Sequence, residues 1–166
     1  MPKSKNPDKR DWQPRETRLV SEFVARFYPD CESRTHVHLG STPPRLKGKF
    51  LSEETARLVG VFRRWADAIV FMPDRLILIE GKILPVPGVI SQLKLYEELI
   101  PKTPELSEYR EIPIEKLIVC AIEDPVITEL ARREGILVTV FRPSWIDAYM
   151  KKLHPWEKTP GLGTLE

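Results

Sequence analysis

Residues 64–82, RWADAIVFMPDRLILIEGK, place two apolar runs on either side of a Met-Pro-Asp-Arg step. Runs rich in Ile, Val and Leu and broken by Pro and Asp predict two strands, Arg64 to Phe71 and Leu76 to Lys82, folded into a hairpin. Such a hairpin must be covered on both faces, because the runs leave almost no polar side for water. Yet the same segment carries Asp67, Glu80 and Lys82. With a loop of two or four residues centred on Pro73 and Asp74, Asp67 falls directly opposite Glu80. Side chains so paired share a face about 5 Å apart, and like charges there repel. Strand alternation brings Lys82 to the face of Glu80.

Two carboxylates held that close among Ala68, Ile69, Leu78 and Ile79 are costly to keep ionised unless a cation lies between them. A hard divalent ion such as Mg²⁺ or Mn²⁺ takes carboxylate oxygens and keeps waters, one of which can serve as a nucleophile. Lys82 would then orient that water or stabilise charge developing on a phosphate. The pattern therefore predicts a site for metal-assisted phosphodiester hydrolysis. The competing reading is a hairpin end emerging from the core, with Lys82 neutralising one acid. A loop longer by one residue would turn the acids to opposite faces.

Around the hairpin, helical and extended patterns alternate. PRETRLVSEFVARFY predicts a helix with Pro14 in its first turn and Leu19, Val20, Phe23, Val24 and Phe27 on one face. THVHLG reads as a short strand and Ser52 as the cap of a further helix through residue 62, a segment whose Gly60 and β-branched residues also allow a strand. Downstream come a helix VISQLKLYEELI, a polar loop, a strand KLIVCAI, a helix PVITELARREG, a strand ILVTVF and a last helix SWIDAYMKKLH. This order predicts an α/β fold with a mixed central β-sheet flanked by helices. Residues 1–13 read as a loose basic arm, 14–154 as a single domain and 155–166 as a flexible tail.

At 166 residues and 42% apolar content, one domain can bury its own core. No apolar run is long enough to span a bilayer and no secretory pattern precedes the first helix, so the expectation is a cytoplasmic protein without a membrane partner. Cys31 and Cys120 show no ligand spacing. Side-chain amides are confined to Asn6, Gln13 and Gln92, alongside 16 prolines, a balance that fits a thermophilic source. The net charge of +2 does not itself call for a polyanion, but residues 45–64 hold six Lys or Arg against two acids. Arg45, Lys47, Lys49, Arg63 and Arg64 are the candidates for phosphate contacts, with Trp65 able to stack on a base or to pack in the core.

Asp67 followed by Glu80-Gly81-Lys82 resembles the core motif of the PD-(D/E)XK nuclease superfamily, and Gln92-x-x-x-Tyr96 on the next helix is similar to the QxxxY motif of its RecB-like branch. The resemblance runs over residues 14 to 96 and departs from the family at Ala66, where the family name has Pro. It implies a restriction-endonuclease-like core and a Mg²⁺- or Mn²⁺-dependent DNA nuclease of replication, recombination or repair. Asp67, Glu80 and the Gly81 carbonyl would hold metal, Lys82 would assist the water, and Gln92 and Tyr96 would position DNA. A homodimer would be the natural way for so small a nuclease to cut both strands. A catalytically silent DNA-binding or assembly subunit of the same fold is the alternative.

The family also places a glutamate on the first helix, aimed at the metal. At about 100° per residue Glu16 lies within roughly 40° of Val20 on the apolar face, whereas Glu22 lies about 160° away, so Glu16 is the candidate ligand. Its other reading is a first-turn acid favoured by the helix dipole. His36 and His38 alternate on their strand and so point to one face, where they read as a solvent-facing pair or as two metal ligands lacking a third.

Overall fold

The computed structural model describes residues 15–41 and 64–153. The expected arm, the tail and the helix capped by Ser52 lie outside these residues. So do Arg45, Lys47, Lys49 and Arg63.

Helix α1 (Arg15–Phe27) leads into strand β1 (Glu32–Leu39), and the hairpin follows as β2 (Arg64–Phe71) and β3 (Leu76–Lys82). Helix α2 (Gly88–Leu99) connects β3 to β4 (Ile114–Cys120), α3 (Pro125–Arg133) connects β4 to β5 (Ile136–Val140), and α4 (Trp145–Leu153) ends the described chain. The expected polar loop between α2 and β4 instead contains two 3₁₀ turns, Ile100–Lys102 and Pro104–Tyr109. Pro101 and Pro104 remove the donors that would continue an α-helix, while Ile100 and Leu106 are buried and hold the segment against the core.

The five strands among the described residues form one mixed sheet in the order β1-β2-β3-β4-β5, antiparallel from β1 to β3 and parallel from β3 to β5. This is the α/β sheet with flanking helices that the order of elements predicts. Met72 N–H donates to the Arg75 carbonyl across the Pro73-Asp74 turn, and Phe71 pairs with Leu76, so the hairpin has the short loop that sets the expected register.

Two apolar clusters cover the sheet. One face packs Leu76 and Leu78 of β3 against Val89, Leu93 and Tyr96 of α2 and Ile127 of α3. The other packs Ile77 and Ile79 against Leu19, Val20 and Phe23 of α1 and Ile146 of α4. Residues 76–81 of β3 are all buried, as expected of a central strand covered on both sides. Helix α3 starts where Asp124 accepts hydrogen bonds from the Val126 and Ile127 N–H groups, with Pro125 in the first turn.

Candidate active site

The end of β3 and the start of β2 bring the charged residues together, by a route the simple pairing does not contain. The β2–β3 ladder runs from Phe71↔Leu76 to Ala68↔Ile79 and stops one step short of Asp67 and Glu80. Ala66 and Ala68 would share a face in a regular strand, yet Ala66 belongs to the cluster beneath α2 and Ala68 to the one beneath α1. Strand β2 thus turns over at Asp67. Its partner turns with it: the β1–β2 ladder skips His36 and Asp67 between the regular pairs Thr35↔Ala68 and Val37↔Ala66. His36 has φ +52°, the one positive value outside glycine among the described residues.

This reversal corrects the expectation that Asp67 and Glu80 share a face. A ladder N–H points along the plane of its sheet, and the Gly81 N–H donates to Asp67 Oδ2 over 2.9 Å. The Asp67 carboxylate therefore lies beside β3, in the position a paired strand would have occupied. Glu80 and Lys82 project on the α2 face. The carbonyl of Lys82 accepts the Ala121 N–H on the opposite edge of β3, so alternation turns the Gly81 carbonyl toward the Asp67 side.

Gly81 also explains how α1 comes so near. A Cβ at this position would overlap the Val20 methyl Cγ2 and lie 3.1 Å from the Glu16 carbonyl oxygen. A glycine inside a strand often marks such an approach, a signal that a reading of Gly81 as a carbonyl donor alone passes over. The first turn of α1 then sets Glu16 Oε2 3.7 Å from Lys82 Nζ. Glu22, on the other side of the helix, pairs with Arg18 and accepts from Trp145 Nε1, which ties α1 to α4.

Glu80 is 2% exposed. Its Oε1 accepts from Lys82 Nζ at 3.1 Å and from Gln92 Nε2 at 2.6 Å, while its buried Oε2 has no side-chain hydrogen-bond partner among the described residues. Gln92 Nε2 also donates to the Tyr96 hydroxyl at 2.9 Å. Gln92 and Tyr96, one turn apart on α2, share a face as their spacing predicts, and Gln92 reaches Glu80 directly while Tyr96 reaches it only through Gln92. The Tyr96 ring is 5% exposed, so its contact is with Gln92 and the core rather than with solvent. Burial above all, and then the Asp67 charge, push the Glu80 carboxyl up to about 7, against the pull of Lys82 and of the Asp67 backbone N–H. Burial alone would favour a neutral Lys82, but Glu80, Glu16 and Asp67 outweigh it and the ammonium is held above its ordinary pKa.

Among the described residues no group of three or more His, Cys, Asp or Glu side chains is disposed to hold a metal ion. The groups that could hold a cation here are fewer: the Asp67 and Glu80 carboxylates and the Gly81 carbonyl. The Glu80 Oε2 beside the Asp67 charge suits a hard divalent ion, which keeps several waters. Arg64 opens β2 opposite Leu39 and is exposed. His36 and His38 both lie against the Trp65 ring.

No family model and no curated protein matches the chain. Among solved structures, a repair endonuclease from Pyrococcus abyssi aligns with 76% of this chain and 46% of its own, at 13% identity and a TM-score of 0.44. EndoMS in a dsDNA complex aligns with 76% of this chain and 44% of its own, at 15% identity and a TM-score of 0.43. EndoMS in its apo form aligns with 79% and 48%, at 13% identity and a TM-score of 0.45. The chain spans about half the length of these proteins. Among the described residues no helix is long and apolar enough to cross a membrane.

Proposed function

We propose that this protein is a metal-dependent DNA nuclease of the PD-(D/E)XK type, acting in replication, recombination or repair. The observation that carries the reading is the Glu80 carboxylate: buried, satisfied on one oxygen by Lys82 and Gln92, and left with a second oxygen that meets no side-chain donor among the described residues, beside another acid. A cation bound between the two acids would satisfy that oxygen and offset the repulsion of the neighbouring Asp67 charge. Asp67, Glu80 and the Gly81 carbonyl would hold Mg²⁺ or Mn²⁺, with Glu16 adjoining. The ion, when bound, would supply charge toward phosphate oxygens and acidify a bound water.

The chain's own residues set up the rest. Gln92 fixes Glu80 Oε1, which leaves Oε2 as the oxygen available to the cation, and Tyr96 fixes Gln92. Lys82 stays charged between Glu80 and Glu16 and presents an ammonium to the scissile phosphate. Arg64 and the basic residues at 45, 47, 49 and 63 would meet the DNA backbone.

The deciding experiment incubates the protein with linear, circular and branched DNA in Mn²⁺ and Mg²⁺, comparing wild type with Lys82→Ala and Asp67→Ala. Metal-dependent cleavage by wild type, lost in both variants, is the expected result. Cleavage that persists in Lys82→Ala, or that never occurs in wild type, overturns the reading.

A further inference from the structure

Trp65 is 47% exposed although it sits in the sheet. Its cross-strand partner is His38, whose ring lies against the indole, and His36 meets the indole edge-on with ring centroids 5.7 Å apart. The positive φ of His36 and the skipped pair at His36 and Asp67 belong to the same reversal that turns Asp67 toward Gly81. The regular pair sets His38 against the indole, and the adjoining reversal carries His36 beside it and the Asp67 carboxylate to the site. Trp65 precedes Asp67 by two residues along β2.

From this arrangement we infer that Trp65, braced by His36 and His38, is a stacking platform for an unpaired nucleobase of the DNA strand whose phosphate lies at Asp67. The inference rests on the nuclease reading and narrows its substrate class. A base inside a duplex has both faces covered by its neighbours, so only an unpaired or extruded base can offer a face to the indole. Exposed aromatic side chains bind such bases with little regard to sequence. The bracing matters because an indole already held in place loses little freedom on binding. The substrate is then a single strand or a DNA with locally unpaired nucleotides, in preference to an intact blunt duplex.

The test measures fluorescence anisotropy of a labelled single-stranded oligodeoxynucleotide and of a blunt duplex of the same sequence, in EDTA and again in Ca²⁺. Wild type is compared with Trp65→Ala and Trp65→Phe. Stacking predicts that Trp65→Ala weakens single-strand binding about tenfold and duplex binding by less than about twofold, while Trp65→Phe keeps most of the single-strand affinity. Equal single-strand binding by wild type and Trp65→Ala, or an equal loss on both DNAs, overturns the platform. Cleavage by wild type in Mn²⁺, assayed alongside, separates the two ideas. If wild type cuts DNA while Trp65→Ala is unchanged, only the platform falls; if wild type neither binds nor cuts, the nuclease reading falls and the platform with it.

Discussion

The Gly81 N–H donates to Asp67 Oδ2 at 2.9 Å, at the point where the β2–β3 ladder has ended. Asp67 therefore has two separable roles: a neutral acceptor could serve the backbone, whereas raising the Glu80 pKa requires charge. Asp67→Asn keeps an acceptor and should fold with stability close to wild type, while Asp67→Ala leaves the buried Gly81 N–H unsatisfied and should cost about 1–3 kcal/mol. Both should lose metal binding. Urea unfolding with Mn²⁺ calorimetry on the same samples checks both statements, and equal stability of the two variants would remove the structural role.

Glu80 carries the pH prediction. Its carboxyl has a pKa of about 7 in the folded protein against 4.5 in the reference state, so the folded form holds the proton more tightly. The stabilisation this gives is complete below pH 4.5 and is lost as pH rises through about 7. In metal-free protein the swing should be on the order of 3 kcal/mol. Unfolding curves taken from pH 4.5 to 8 in EDTA should show it in wild type and not in Glu80→Gln. Because a metal must displace that proton, Mn²⁺ affinity should rise over the same interval.

Gln92 and Tyr96 should separate in their effects. Gln92 touches the Glu80 carboxylate directly, whereas Tyr96 acts on it only through Gln92. Gln92→Ala should lower cleavage at least about tenfold and weaken Mn²⁺ binding, since Glu80 loses a hydrogen bond of the charge-assisted kind, worth about 1.5–3 kcal/mol. Tyr96→Phe removes a hydroxyl from the same network and should cost about 1 kcal/mol of stability with a smaller change in rate. Steady-state kinetics beside thermal unfolding distinguishes the two.

Much of this arrangement is legible in the sequence, and the remainder is not for identifiable reasons. The hairpin strands fall at Arg64–Phe71 and Leu76–Lys82, as the apolar runs and the Pro73-Asp74 turn predict, because turn length and burial fix register together. The contact of Gln92 with Tyr96 follows from helical spacing, while the turning of that pair toward Glu80 is implied only by the nuclease resemblance. The reversal at Asp67 and His36 follows from no local pattern, since period-two alternation assumes that a strand keeps its faces. The two 3₁₀ turns within 100–109 escape for a related reason: buried Ile100 and Leu106 order a proline-broken segment that has no periodicity of its own.

Gly81 and Val20 yield the last prediction. Any side chain at 81 meets the Val20 methyl and, behind it, the backbone of the first turn of α1. Gly81→Ala should therefore push α1 outward, at a cost of about 1–3 kcal/mol, and should also move Glu16 away from Lys82. Val20→Ala opens space at the same contact and is itself destabilising, because Val20 is 1% exposed. Combined, the new methyl occupies part of the volume the old one vacates, so the double variant should be more stable than the two single losses predict. A double-mutant cycle in urea should return a favourable coupling of about 1 kcal/mol, within the range for residues in contact. Simple additivity would mean that helix α1 does not rest on Gly81, and Glu16 would lose its route to the site.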